Sequence, residues 1–125
     1  MISIEEVITI HEEVIRIFGG KLGLRDRNLP DSAIHRPYAS LSDQELYSSL
    51  EEKAAAILES IVNNHPFLDG NKRVGYVLCR LTLLDHGYDI NATQQEKFEL
   101  VMSVSRGDWQ FENIVEWLRV HTTHL

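Results

Sequence analysis

Between residues 65 and 73 the chain reads His65-Pro66-Phe67-Leu68-Asp69-Gly70-Asn71-Lys72-Arg73. One imidazole, one carboxylate, one carboxamide and two cations fall in this stretch, immediately ahead of a helical pattern. A plain interhelical connection needs a stop, a turn and a cap, which Asn64, Pro66 and Asp69-Gly70 already supply. The density of ionisable groups is more than a connection requires. A helix N-terminus presents unpaired N–H groups and a partial positive charge, so it accepts anions. Gly70 removes the Cβ that would hold a phosphate off the backbone. Asn71 can donate from its amide, and Lys72 and Arg73 add full positive charges. Two cations are unfavourable for the helix itself at that end, and an anionic ligand offsets that cost. Asp69 beside a phosphate is a hard oxygen ligand of the kind Mg²⁺ takes together with phosphate oxygens. His65, at the helix–loop boundary, suits a general base for an incoming hydroxyl. Together these residues describe phosphoryl or nucleotidyl transfer from a nucleotide to a hydroxyl.

The elements that must hold this segment are helices. Ser3 with Glu6 forms a capping-box pattern. Ile4, Val7, Ile8, His11, Ile15 and Phe18 follow at helical spacing, and Gly19-Gly20 gives the stop. Residues 21–31 read as a loop, with a short helix expected over Asp31–Arg36 before Pro37. Ser42 with Glu45 reads as a second capping box, opening a helix through Leu46, Leu50, Ala54, Ile57, Leu58, Ile61 and Val62 to Asn63-Asn64. The next helix runs from Asn71 to His86, closed by Gly87. Thr93 with Glu96 opens another, through Phe98 and Val101 to Gly107, and the last spans Phe111 to Val120. Strand signals are confined to Tyr88–Ile90. The expected class is all-α, one domain over residues 1–125.

Composition narrows the function. The chain has 125 residues, 43% apolar and 25% charged, an ordinary globular balance. Its net charge of −7, from 12 basic against 19 acidic residues, opposes direct nucleic-acid or anionic-membrane binding. A lone cysteine, Cys79, excludes an internal disulfide and a cysteine-rich zinc site. Neither a signal-peptide pattern at Met1–Glu6 nor a run of membrane-spanning length is present, so the expected location is cytoplasmic.

The nine residues from His65 to Arg73 resemble the signature of the Fic family: HPF, any residue, an acid, GN, a small residue or Lys, then Arg. Lys72 stands where nucleotidylating members usually carry Gly, and Lys there is typical of the death-on-curing (Doc) branch, the toxins of toxin–antitoxin modules. Leu22-Gly23-Leu24-Arg25-Asp26, Arg36-Pro37 and Glu52-Lys53-Ala54-Ala55-Ala56 resemble the same branch. The resemblance implies a Fic fold of about six helices. It implies His65 as general base, Asp69 as Mg²⁺ ligand, and Gly70, Asn71, Lys72 and Arg73 as the anion hole for ATP phosphates. It further implies a kinase that moves the γ-phosphate of ATP to a threonine of elongation factor Tu, held in check by a Phd-like antitoxin whose C-terminal segment folds into a groove. The alternatives are an AMP transferase and a non-catalytic binding module. Tyr76, where nucleotidylating members often have a second Arg, opposes AMP transfer, whereas Gly70 is shared with them. Val74 replaces a common Thr. Self-inhibited members carry Ser or Thr, three residues, Glu, then Gly or Asn. Here Thr9 to Glu13 is followed by Val14, and Ser48 to Glu52 by Lys53, so the brake is expected in trans.

Other residues read as structural. Cys79 is expected to pack, His11 to be a hydrogen-bonded interior histidine, and His121 with His124 to lie in a solvated tail rather than on a metal. Arg25 and Asp26 fit loop fixing or substrate contact. Arg80 fits either a wider positive patch or an ordinary surface. Tyr38, Tyr47, Trp109 and Trp117 are candidates for a docking surface or for core.

Overall fold

The computed structural model describes residues 1–125. The first helix opens at Ser3, whose hydroxyl accepts from the Glu6 N–H while the Glu6 carboxylate accepts from the Ser3 N–H. Helix α1 follows over Ile4–Phe18 and stops at Gly19, whose φ of 84° is open to a residue without a Cβ. Helix α2 spans Asn28–His35, with a 3₁₀ turn over Arg36–Tyr38. It starts earlier than Asp31 because Pro30 sits in its first turn, where a missing N–H costs nothing. The α-helix ends before Pro37, as expected, though at His35 rather than Arg36, and Pro37 lies inside the 3₁₀ turn that follows.

The expectation that a helix begins at Ser42 is wrong. Ser42 and Asp43 have φ of 51° and 65°. They form the two-residue turn between β1 (Ser40–Leu41) and β2 (Gln44–Glu45), with Leu41 opposite Gln44 and Ser40 opposite Glu45. Positive φ at both turn positions matches the twist of an antiparallel hairpin, and Asp is among the few residues that tolerate it. The capping box belongs to Ser49 and Glu52, seven residues further on, and opens α3 over Leu50–Asn64.

Helix α3 is the centre of the molecule, packing on α2, α4, α5 and α6. Ala54, Ala55, Ala56, Leu58, Ile61 and Val62 are fully buried. The alanines let neighbouring helices close in, and the larger residues each contribute roughly 1.5–3 kcal/mol by leaving water. Helix α4 (Asn71–Leu84) runs back along it after the loop of residues 65–70. Gly75 lets the two helices approach closely, since a Cβ there would lie 2.8 Å from Val62 Cγ2. Helices α5 (Gln94–Ser105, capped by Thr93 and Glu96) and α6 (Phe111–His121) complete the core with Leu100, Val104, Ile114 and Leu118.

The C-terminal tail is not frayed. Thr122–His124 forms β4, antiparallel to β3 (Tyr88–Ile90), with Tyr88 opposite His124 and Ile90 opposite Thr122. His121 is tied to the Trp117 carbonyl at 2.8 Å and the Glu96 carboxylate at 3.1 Å, and His124 sits edge-on to Tyr88. With six helices and only short strands, the fold is the mostly-α arrangement expected. No helix is long and apolar enough to cross a membrane.

Candidate active site

Helix α3 ends on His65, which takes a left-handed conformation (φ 49°, ψ 61°), an unusual one for a residue with a side chain. Its carbonyl, and that of Asn64, accept from the Arg25 guanidinium at 2.9 and 3.3 Å. The main chain is therefore pinned while the imidazole stays in solvent. Arg25 is thus a loop-fixing residue, acting through carbonyl oxygens rather than an ion pair. The next residues pair with the loop after α1: the Arg25 N–H donates to the Pro66 carbonyl at 2.7 Å, and the Leu68 N–H to the Gly23 carbonyl at 3.0 Å. These two bonds flank a single β-bridge between Leu24 and Phe67. Gly23 suits the position, because its φ of 138° is one side chains rarely adopt and a Cβ would push against the Leu68 side chain at 2.6 Å.

Phe67 is 2% exposed and anchors the loop in the core. Its N–H donates to the Asn71 side-chain oxygen at 3.0 Å, and its carbonyl accepts from the Asn71 side-chain nitrogen at 2.9 Å. The Asn71 carboxamide therefore folds the loop back on the helix it precedes. Asn71 is buried, so what it offers toward solvent-side ligands is its backbone N–H rather than its side chain.

Helix α4 starts at Gly70, φ 79°, with no side-chain cap and no acid in its first turn. Its backbone ladder begins with the Val74 N–H on the Gly70 carbonyl. The N–H groups of Asn71, Lys72 and Arg73 thus stand at an open helix end, the geometry that takes an anion. By contrast α1, α3 and α5 are closed by Ser or Thr capping boxes. Lys72 and Arg73 are exposed. The Arg73 guanidinium lies 4.3 Å from the centre of the Phe18 ring, at the last residue of α1.

Asp69 is exposed, and each carboxylate oxygen accepts one backbone N–H: Gly70 at 2.9 Å and Lys21 at 3.2 Å. Gly20 makes the second bond possible, since a Cβ there would come within 2.6 Å of the carboxylate. No cluster of three or more acids, histidines or cysteines surrounds it. One fixed carboxylate beside an anion-accepting helix end fits a Mg²⁺ ion that arrives with a nucleotide and keeps phosphate and water as its other ligands. Asp69 would hold that ion, and the ion would neutralise charge on the phosphates.

Beside the two cations lies a cavity of about 470 Å³ between the end of α1, α4 and α5. Phe18, Val77, Phe98 and Met102 give it apolar walls, and Lys72, Arg73 and Lys97 give it a cationic rim. Phe18, Lys97 and Phe98 carried no signal in sequence beyond helical periodicity, which assigned the aromatics to core; Phe18 is 58% and Phe98 60% exposed. Arg80 does not extend the cationic rim. It pairs with Asp89 of β3 through two bonds of 2.8 and 2.9 Å, and this pairing holds the Asp89 carboxyl below its usual range. Cys79 is buried, its thiol pushed up to about 12 by desolvation, and inert.

The helical fold, the His65–Arg73 loop and the open α4 terminus define a family. A family model described as the Fic/DOC family matches residues 1–83, which contain the whole loop, and the chain belongs to that family. Among its relatives, Toxin Doc of Mycolicibacterium smegmatis is 40% identical over 75 residues, 60% of this chain and 58% of that protein. The Protein kinase doc of Escherichia phage P1 is 28% identical over 118 residues, 94% of this chain and 92% of that protein.

Proposed function

We propose that this protein is a Doc-like toxin that transfers the γ-phosphate of ATP to a serine or threonine hydroxyl of a protein target. The observation that carries the reading is the uncapped α4 terminus, where two cations and three unpaired N–H groups stand next to the fixed carboxylate of Asp69. His65 acts as general base: it takes the proton of the acceptor hydroxyl as that oxygen bonds to the γ-phosphorus. The bond from the γ-phosphorus to its bridging oxygen breaks, and ADP leaves. The backbone N–H groups of residues 71–73, with Lys72 and Arg73, hold the phosphates, and Mg²⁺ on Asp69 is the implied metal. Positioning and charge stabilisation supply most of the catalysis in such a transfer.

Lys72 is the residue on which γ-transfer rather than AMP transfer turns. Its side chain occupies the place where a glycine would let the α-phosphate settle on the helix end, so ATP enters with its γ-phosphate toward His65. The phage relative's name, Protein kinase doc, agrees with this direction. Elongation factor Tu is the proposed target. A Phd-like antitoxin is the proposed partner, its C-terminal segment lying in the cavity between α1, α4 and α5. An apolar segment carrying an acid would cover Arg73 there and supply the brake the chain lacks.

Parallel incubation with elongation factor Tu, Mg²⁺ and ATP labelled at the α- or the γ-phosphate tests the reading, with His65→Ala as control. Label from γ alone, lost in the variant, is the expected result. Label from α would establish AMP transfer instead. No label from either, on purified factor or in whole-cell lysate, would favour a non-catalytic module.

A further inference from the structure

We propose that His11, in the middle of α1, is a positioning residue of the transfer site: it orients Asp69 and the start of α4 through the backbone of the loop. This rests on the reading of that loop as the transfer site. His11 is 2% exposed and is the buried polar residue of an otherwise apolar stripe formed by Val7, Val14 and Ile15. Its Nε2 lies 2.8 Å from the Asp69 carbonyl, 58 residues away. A carbonyl only accepts, so Nε2 carries the proton and donates. The ring also lies flat on Phe67, with centroids 3.9 Å apart and planes within 6°. Gly70 lies next to the ring, since a Cβ there would stand at van der Waals distance, 3.7 Å, from His11 Cδ2. One imidazole thus touches Phe67 and Asp69, two positions of the same loop.

The consequence is directional. The Asp69 carbonyl is drawn inward to His11, while its carboxylate faces outward, held by the Gly70 and Lys21 N–H groups. Rotating the 69–70 peptide would swing the carboxylate and the Gly70 cap together. An apolar side chain at position 11 fills the same space and keeps the stack on Phe67, yet leaves that peptide free to turn. The donor at Nε2 therefore fixes the 69–70 peptide, and through it the Gly70 N–H that holds one oxygen of the carboxylate.

The test compares His11→Phe, which keeps the stack and loses the donor, with His11→Gln, whose side-chain nitrogen reaches the Nε2 position. Two quantities are read: steady-state γ-phosphate transfer, and amide exchange at Leu68 and Gly70 in the protein without nucleotide. In His11→Phe, kcat is expected to fall at least about tenfold with KM for ATP within about twofold, as for a misplaced reacting group. Gly70 exchange rises about tenfold or more while the Leu58 amide of α3 is unchanged, a local opening rather than global unfolding. His11→Gln restores kcat to within about threefold of the original. If His11→Phe does not fold, His11→Asn, whose amide is too short to reach, takes its place. A Gln variant no better than Phe, or losses that simply track the folded fraction, would overturn the proposal. Absence of transfer by the unmodified protein would defeat the phosphotransfer reading alone. Unchanged Gly70 exchange without the donor would defeat the positioning role alone.

Discussion

At the scale of single residues, Phe18 and Arg73 make an informative pair. Phe18 is more than half exposed and contributes little to the core, so its ring is free to hold the guanidinium that stacks on it. An exposed cation–π contact contributes about 0.5–1 kcal/mol. Phe18→Leu is therefore expected to lower stability by no more than about 1 kcal/mol and, by releasing Arg73, to weaken nucleotide binding by about two- to fivefold, which a melt and titration with a fluorescent ATP analogue check. Asn71 behaves differently. Removing its carboxamide strands the buried N–H and carbonyl of Phe67. Asn71→Ala should cost on the order of 3 kcal/mol of stability in urea unfolding, because an unsatisfied buried polar group loses its full desolvation energy. At position 72, Lys72→Gly is expected to lower γ-transfer and admit label from α-labelled ATP. Unchanged γ-transfer would remove the lysine from the account of which phosphate moves.

At the scale of elements, the pairing of α3 with α4 fixes the two ends of the loop of residues 65–70. Gly75→Ala places a methyl 2.8 Å from Val62 Cγ2. Overpacking of that kind costs about 1–3 kcal/mol, and it should also lower transfer by shifting α4 against His65. A melt and a rate measured on the same preparation separate the two effects. The junction of α4 with β3 depends on pH through Arg80 and Asp89. The Asp89 carboxyl is depressed chiefly by its hydrogen bonds from Arg80. A depressed folded value means the stabilisation is complete above the ordinary carboxylate range, near pH ~4, and is lost as pH falls through the lower folded value. Unfolding free energy measured from pH 6 downward should drop more steeply in the unmodified protein than in Asp89→Asn. The difference is small, since the guanidinium is half exposed and screened by solvent.

At the scale of the whole molecule, the family match ends at residue 83, but the core does not. Leu100, Val104, Ile114 and Leu118 are fully buried and belong to the same cluster as Leu58 and Val62 of α3. A fragment of residues 1–83 should therefore lack cooperative unfolding by circular dichroism, although it contains every residue of the proposed site. The acidic surface matters here too. With a net charge of −7, the cations at the α4 terminus and the cavity rim form a local exception that directs anionic ligands to one place.

What the sequence determined by itself is what short-range chemistry controls. The boxes at Ser3–Glu6 and Thr93–Glu96, the stop at Gly19 and the helix start at Asn71 each depend on groups within one turn, and each stands where the spacing placed it. The His65–Arg73 segment was legible for the same reason, as nine consecutive residues whose chemistry exceeds a loop's needs. His11 was legible as interior because helical periodicity fixed its face, but not what it bonds to. Tertiary structure alone decided the rest. Ser42-x-x-Glu45 and Ser49-x-x-Glu52 are equivalent as local signals. In the fold the first is a hairpin turn and the second opens α3, with Arg36 docked on Tyr47, Ser60 and Glu59 and Lys53 paired with Glu45 between them. The tail became β4 because β3 offers an edge more than thirty residues earlier in the chain. The Lys21 N–H on Asp69 and the ring of Phe18 under Arg73 both depend on α1 packing across the loop. That packing is a balance of buried area and close approach over many residues, and no local pattern encodes it.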